Sequence, residues 1–97
     1  MIKNINIYEL KNLIKAEDVL LIDTRETDEY RKKRIQGAIN IGVDDVDKML
    51  TICPDKNKKI IVYCSKGARS IVVAERLDEL GYAKIYNLEA GIEKILK

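Results

Sequence analysis

Histidine is absent from this chain of 97 residues. Every Ser-His-Asp, Cys-His or histidine-metal scheme within it is therefore excluded. Cysteine occurs only twice, at Cys53 and Cys64. Two cysteines make neither a four-cysteine metal site nor a disulfide framework. No apolar run approaches the ~18 residues of a membrane span. The opening Met1-Ile2-Lys3-Asn4-Ile5-Asn6 lacks the apolar stretch of a signal peptide. A cytoplasmic, reducing location is the resulting expectation. Charge of one sign is not in excess: 18 Lys+Arg stand against 16 Asp+Glu, a net charge of +2. Nothing in that balance demands a nucleic acid or a membrane as partner. Neither Gly-x-Gly-x-x-Gly nor a P-loop is present, and no metal, nucleotide or flavin cofactor is expected. If the chain does chemistry, its nucleophile is a cysteine with no histidine beside it.

What is present points to one α/β domain over residues 1–97. The hydrophobic share of 46% is too high for a generally disordered chain. Short apolar runs alternate with amphipathic stretches. Ile5-Asn6-Ile7 is a minimal first strand, and 8–15 carries Leu10, Leu13 and Ile14 at helical spacing. Val19-Leu20-Leu21-Ile22 and Ile60-Ile61-Val62-Tyr63 are apolar throughout, as strands buried on both faces are. Ala38-Ile39-Asn40-Ile41 and 83–87 supply two more strands. Short helices are expected over 27–34, with Thr27 as N-cap and Tyr30 as anchor, over 44–50 and over 90–96. The strongest helix opens at Arg69 or Ser70, buries Val73, Ala74, Leu77 and Leu80, and stops at Gly81. This alternation implies a five-stranded parallel sheet with helices on both faces.

The segment Val62-Tyr63-Cys64-Ser65-Lys66-Gly67-Ala68-Arg69-Ser70 places a cysteine at the end of a buried strand, just before that helix. Ligands of open parallel sheets bind beyond the carboxyl ends of the strands. A link centred on Gly67 can wrap into a bowl, and no proline removes any of the six N–H groups of 65–70. Such a bowl at a helix N-terminus favours negative charge. A Cys64 thiol pKa below the reference of about 8.5 follows. Lys66 and Arg69 add positive charge nearby. The plainer reading is that a strand-end cysteine is inert packing. Lys66 could equally be a solvated loop lysine, and Arg69 a brace for loop carbonyls or a carboxylate.

The same segments, in series, resemble the rhodanese family of single-domain sulfurtransferases. Leu21-Ile22-Asp23-Thr24-Arg25-Glu26 with Glu29-Tyr30 is similar to its first signature, and Ile35-Gln36-Gly37-Ala38-Ile39-Asn40-Ile41 to the stretch that follows. Residues 61–70 match the active-site strand and loop, and Tyr86-Asn87-Leu88-Glu89-Ala90-Gly91-Ile92 the closing segment. The resemblance implies that Cys64 is the catalytic nucleophile and carries a persulfide between two displacements. It implies Ser65, Lys66, Gly67, Ala68, Arg69 and Ser70 as the substrate- and anion-binding loop, and Asp23 and Arg25 as supporting structure. The implied partners are a small-molecule sulfur donor, thiosulfate or a persulfide, and a thiophilic acceptor, cyanide or a thiol, including a protein thiol. A monomer is expected.

The chain departs from the family at Arg34, where many members carry histidine, and at Gln36, where many carry proline. Glu29 takes a position that is basic in some two-domain thiosulfate enzymes, and Ile95 and Leu96 replace a frequent tryptophan. Cys53 precedes the strand that Cys64 ends. Five strand residues span roughly 16 Å, so a Cys53–Cys64 disulfide is not expected and Cys53 is read as packing. Two alternatives remain: a persulfide carrier or interaction module, and a cysteine phosphatase or arsenate reductase. The last needs Cys-x5-Arg, whereas Arg69 stands at Cys-x4-Arg, one residue short of a phosphate cradle.

Overall fold

The computed structural model describes residues 1–16, 18–93 and 95. Its centre is β4 (Lys59–Tyr63), buried along its length from Ile60 onward. Ile60 and Val62 point to one face, and Ile61 and Tyr63 to the other. All four are fully buried. This two-sided burial requires β4 to be flanked by strands and covered by helices on both faces.

The flanking strands are β5 (Lys84–Leu88) and β2 (Val19–Asp23), both parallel to β4. Beyond them lie β1 (Ile2–Ile5) and β3 (Ile39–Asn40), giving the order β1-β5-β4-β2-β3. Helix α4 (Ala68–Glu79) covers one face together with a 3₁₀ turn (Val46–Lys48) and α3 (Met49–Ile52). Helix α1 (Ile7–Ala16) and Tyr30 of α2 (Thr27–Lys32) pack on the other. The expected fold class is observed. Among the described residues, no helix is long and apolar enough to cross a membrane.

Strand order decides where a site can form. The chain leaves β2 toward β3 at one edge, and leaves β4 toward β5 on the opposite side. Connections that diverge in this way open a crevice at the carboxyl ends of β2 and β4. Asp23 and Cys64 stand at those two ends.

Several element boundaries differ from expectation. The first strand is Ile2–Ile5, not Ile5–Ile7. Asn6 instead caps α1: its Oδ1 accepts the Glu9 amide at 2.9 Å, and Glu9 Oε1 accepts the Asn6 amide at 3.1 Å. This reciprocal box starts the helix at Ile7. Glu26, not Thr27, is the N-cap of α2, because Glu29 Oε1 accepts the Glu26 amide at 3.0 Å. That helix ends at Lys32. The stretch 44–50 is a 3₁₀ turn running into α3. Helix α4 opens at Ala68. The expected closing helix includes Lys94 and Leu96, which lie outside the described residues. Ala90 to Glu93 form turns and a bend.

Candidate active site

Cys64 follows β4 directly, and three residues later Gly67 takes φ +94° as N-cap of α4. That left-handed turn folds the loop back over the sulfur. Cys64 Sγ lies 3.0 Å from the Gly67 amide nitrogen and 3.3 Å from that of Ser70. The Ser70 hydroxyl oxygen is 3.5 Å away. Burial is the largest influence on the thiol and pushes its pKa up. Hydrogen bonds from the Ser70 hydroxyl and from the amides of Ser70, Arg69 and Gly67 together outweigh it, and the pKa lies below its ordinary value.

A second segment clamps the loop from outside. The Ile92 amide donates to the Cys64 carbonyl at 3.0 Å, and the Glu93 amide to that of Ser65 at 2.9 Å. Gly91 permits this approach: a Cβ there would lie 2.2 Å from the Ser65 carbonyl oxygen.

Cys64 itself is only 1% exposed. It nevertheless lies at the floor of an open pocket of about 370 Å³, lined also by Glu29, Ser65, Lys66, Ala68, Arg69 and Glu93. A larger concavity of about 740 Å³ lies between the 3₁₀ turn and α4, but it holds no cysteine. Chemistry therefore assigns the smaller pocket as the candidate site.

Both cations of the loop are paired. Arg69 donates to Glu29 Oε1 at 2.9 Å and to Ser65 Oγ at 3.3 Å. Ser65 Oγ also donates to Glu29 Oε2 at 3.4 Å. The Arg69 guanidinium holds the Glu29 carboxyl below its usual range, and Glu29 in turn raises Arg69. Lys66 Nζ lies 3.9 Å from Glu93 Oε2 and is largely exposed. Two cations and two carboxylates thus face the thiol pocket.

Asp23 and Arg25 do not line this pocket. Asp23 accepts the Arg25 amide and guanidinium at 2.8–3.1 Å and the Tyr63 hydroxyl at 2.8 Å. Arg25 also donates to the Lys33 carbonyl, and the Ile35 amide donates to Tyr63 Oη. The pair ties the ends of β2 and β4 to the 33–35 connection. Burial pushes the Tyr63 phenol well above its ordinary value, so it stays a neutral donor to Asp23. Cys53 is buried in the core beside Tyr82, whose hydroxyl donates to the Cys53 carbonyl at 2.6 Å. Neither cysteine is in a disulfide.

Sequence reasoning found the loop but missed three contributors. Glu29 enters the sequence reading within the first signature and as a departure from the basic residue of some thiosulfate enzymes, but not as the partner of Arg69 and Ser65, although a carboxylate one helical turn from an N-cap is a sign of a fixed position. The clamp at Gly91 and the contact of Asn87 with Ser70 (2.7 Å) carried no local signal.

The rhodanese-like domain profile matches residues 6–97. The chain belongs to the rhodanese-like family. This rhodanese-like domain is 32% identical over 93 residues to the thiosulfate sulfurtransferase GlpE of Coxiella burnetii, covering 96% of this chain and 86% of that protein. It is 40% identical over 67 residues to the thiosulfate sulfurtransferase PspE of Escherichia coli, covering 68% of this chain and 64% of that protein. Among solved structures, a rhodanese-like domain protein from Staphylococcus aureus superimposes with a TM-score of 0.82 at 30% identity, over 98% of this chain and 96% of that one. A rhodanese with anions from E. coli gives 0.73 at 33% identity, over 82% of this chain and 95% of that one.

Proposed function

We propose that this rhodanese-like domain is a sulfurtransferase that carries sulfane sulfur on Cys64. The observation that supports this most is the Cys64 sulfur, aimed at by the Gly67 and Ser70 amides on the floor of an open pocket. A thiolate stabilised in this way needs no general base, which suits a chain without histidine. In the first displacement, the thiolate attacks the outer sulfur of the donor. A Cys64 S–S bond forms, the donor's bond to that sulfur breaks, and its electron pair leaves with the remainder, sulfite in the case of thiosulfate. In the second, cyanide or a thiolate attacks the terminal sulfur of the persulfide and returns the electron pair to Cys64. The loop 64–70 holds the anionic sulfur in both states, while Asp23 and Arg25 act as scaffold. Intact-mass analysis after mixing with thiosulfate or a low-molecular-weight persulfide tests the reading. A gain of one sulfur atom, located on Cys64 and discharged by cyanide, is expected. No gain with either donor would overturn it.

The paired cations favour a persulfide over thiosulfate as the working donor. Arg69 is neutralised by Glu29, and the anionic Glu29 faces any arriving dianion. Glu29→Gln keeps a group that can accept the Glu26 amide and removes that charge. The Michaelis constant for thiosulfate is expected to fall roughly threefold to tenfold at low salt, with little change for a persulfide lacking net charge. Equal changes for both donors would show that Glu29 does not read donor charge.

Alkylation of Cys64 by iodoacetamide should follow the thiolate. Because the folded thiol pKa is lowered, reactivity should persist below the free-thiol midpoint of about 8.5 and be lost as pH falls through the lower value. A midpoint at or above the reference would contradict the proposed role of the amides.

A further inference from the structure

A chain of side-chain hydrogen bonds runs from the Cys64 sulfur to the protein surface. Cys64 Sγ lies 3.5 Å from Ser70 Oγ, which lies 2.7 Å from Asn87 Oδ1. Asn87 Nδ2 lies 3.0 Å from Asn4 Oδ1. Ser70 and Asn87 are buried, at 0% and 2% exposure, whereas Asn4 is exposed on the edge strand β1. The register of β1 and β5 sets Asn4 directly beside Asn87.

A serine hydroxyl has one proton to donate. While Cys64 is a thiol, its S–H donates to Ser70 Oγ, and the Ser70 hydroxyl donates to Asn87 Oδ1. Every link is satisfied. Once Cys64 ionises, its own proton is gone. A hydroxyl still turned to Asn87 would then show the thiolate only lone pairs. A hydroxyl turned to sulfur would leave Asn87 Oδ1 facing another oxygen at 2.7 Å. A buried acceptor stranded in this way is costly. Reversing the Asn87 carboxamide resolves both conflicts. A side-chain amide turned over fills the same volume and exchanges donor for acceptor. Asn87 Nδ2 then donates to Ser70 Oγ, whose proton is released to the sulfur, and exposed Asn4 turns its own Nδ2 toward Asn87. The chain has two self-consistent polarities, one for the thiol and one for the thiolate.

We propose that Asn87, backed by Asn4, is a positioning residue whose amide orientation directs the Ser70 hydroxyl proton onto the ionised Cys64 sulfur. The proposal rests on the sulfurtransferase reading only in taking the thiolate as the working form. The charged groups facing Cys64 across its pocket are Lys66 and Arg69 from the loop, Glu29 from α2 and Glu93 after β5. None belongs to the relay.

The test substitutes the exposed end. Asn4→Asp can only accept, so it holds Asn87 Nδ2 outward and Oδ1 on Ser70, the thiol polarity. The pH midpoint of Cys64 alkylation, followed by peptide mass, is expected to rise by about 0.5–1 pH unit. In a Ser70→Ala background the same substitution should leave the midpoint where Ser70→Ala alone puts it. That comparison separates the relay from the through-space effect of a new surface charge. No rise in the wild-type background, or the same rise in both, would overturn the proposal. Should Asn4→Asp fail to fold by circular dichroism, Asn4→Lys serves. It only donates and holds the opposite polarity, so its midpoint should fall by a similar amount, again only with Ser70 present; a fall independent of Ser70, or none, would overturn the proposal. The readout concerns the thiol alone. A Ser70-dependent shift without any sulfur loading would therefore sink the sulfurtransferase reading and leave the relay standing.

Discussion

Cys64→Ser is expected to abolish sulfur loading and to lower transfer from either donor by about a thousandfold or more, because an alkoxide is not accessible where a thiolate is. The fold should survive. Serine is nearly isosteric, and the Gly67 and Ser70 amides and the Ser70 hydroxyl surround the position with groups that can bond an oxygen. A change in stability of no more than about 1 kcal/mol is anticipated. Intact mass, turnover and a thermal melt on one preparation check both halves of the expectation. Turnover near wild type in a folded variant would remove Cys64 from the mechanism. Loss of turnover together with loss of the melt would show instead that the sulfur is needed for packing. The melt is therefore what distinguishes a nucleophile from an inert strand-end cysteine.

Gly91→Ala should damage the site from outside the loop. Gly91 has φ +75°. A Cβ there would meet the Ser65 carbonyl oxygen at 2.2 Å, its carbon at 2.4 Å and the Lys66 nitrogen at 2.6 Å. All three are backbone atoms of the Cys64 loop, so none can swing aside alone. The loop must shift, and with it the aim of the Gly67 and Ser70 amides on Sγ. We expect a loss of about 2–4 kcal/mol in stability, a rise of the Cys64 alkylation midpoint toward the free-thiol value, and sulfur loading slowed about a hundredfold. Gly37→Ala is the matched comparison. Gly37 has φ +88°, but nothing lies within 4 Å of its added Cβ. It should cost only the backbone strain, roughly 1–2 kcal/mol, and leave the alkylation profile unchanged. Equal effects of the two substitutions on that profile would show that the closing segment does not hold the loop in register.

The parts of this protein that were legible in sequence are those encoded by neighbours in the chain. The apolar run that becomes β4 announces burial on both faces, because no polar residue interrupts the two-residue period. Val73, Ala74 and Leu77 announce α4 by their spacing, and Gly67 between strand and helix announces the turn that folds the loop over Cys64. The box of Asn6 and Glu9 is equally local, and it starts α1 at Ile7 although the alternation of Ile5, Asn6 and Ile7 by itself suits a strand. The carboxylate of Glu29 is visible in sequence, but its pairing with Arg69, 40 residues away, depends on α2 being carried to the mouth of the β4 loop.

Residue order alone determined a cysteine without a histidine, set between a doubly buried strand and a helix, and hence a nucleophile that must be ionised by its surroundings. Tertiary structure decided what those surroundings are. The order β1-β5-β4-β2-β3 brings Asn87 beside Ser70 and Asn4 beside Asn87, presses Gly91 onto Ser65, and sets Glu29 against Arg69. The physical reason is one of range. Backbone periodicity and turn preference act over a few residues, whereas hydrogen bonds and ion pairs across a parallel sheet join segments whose proximity exists only after the strands have paired.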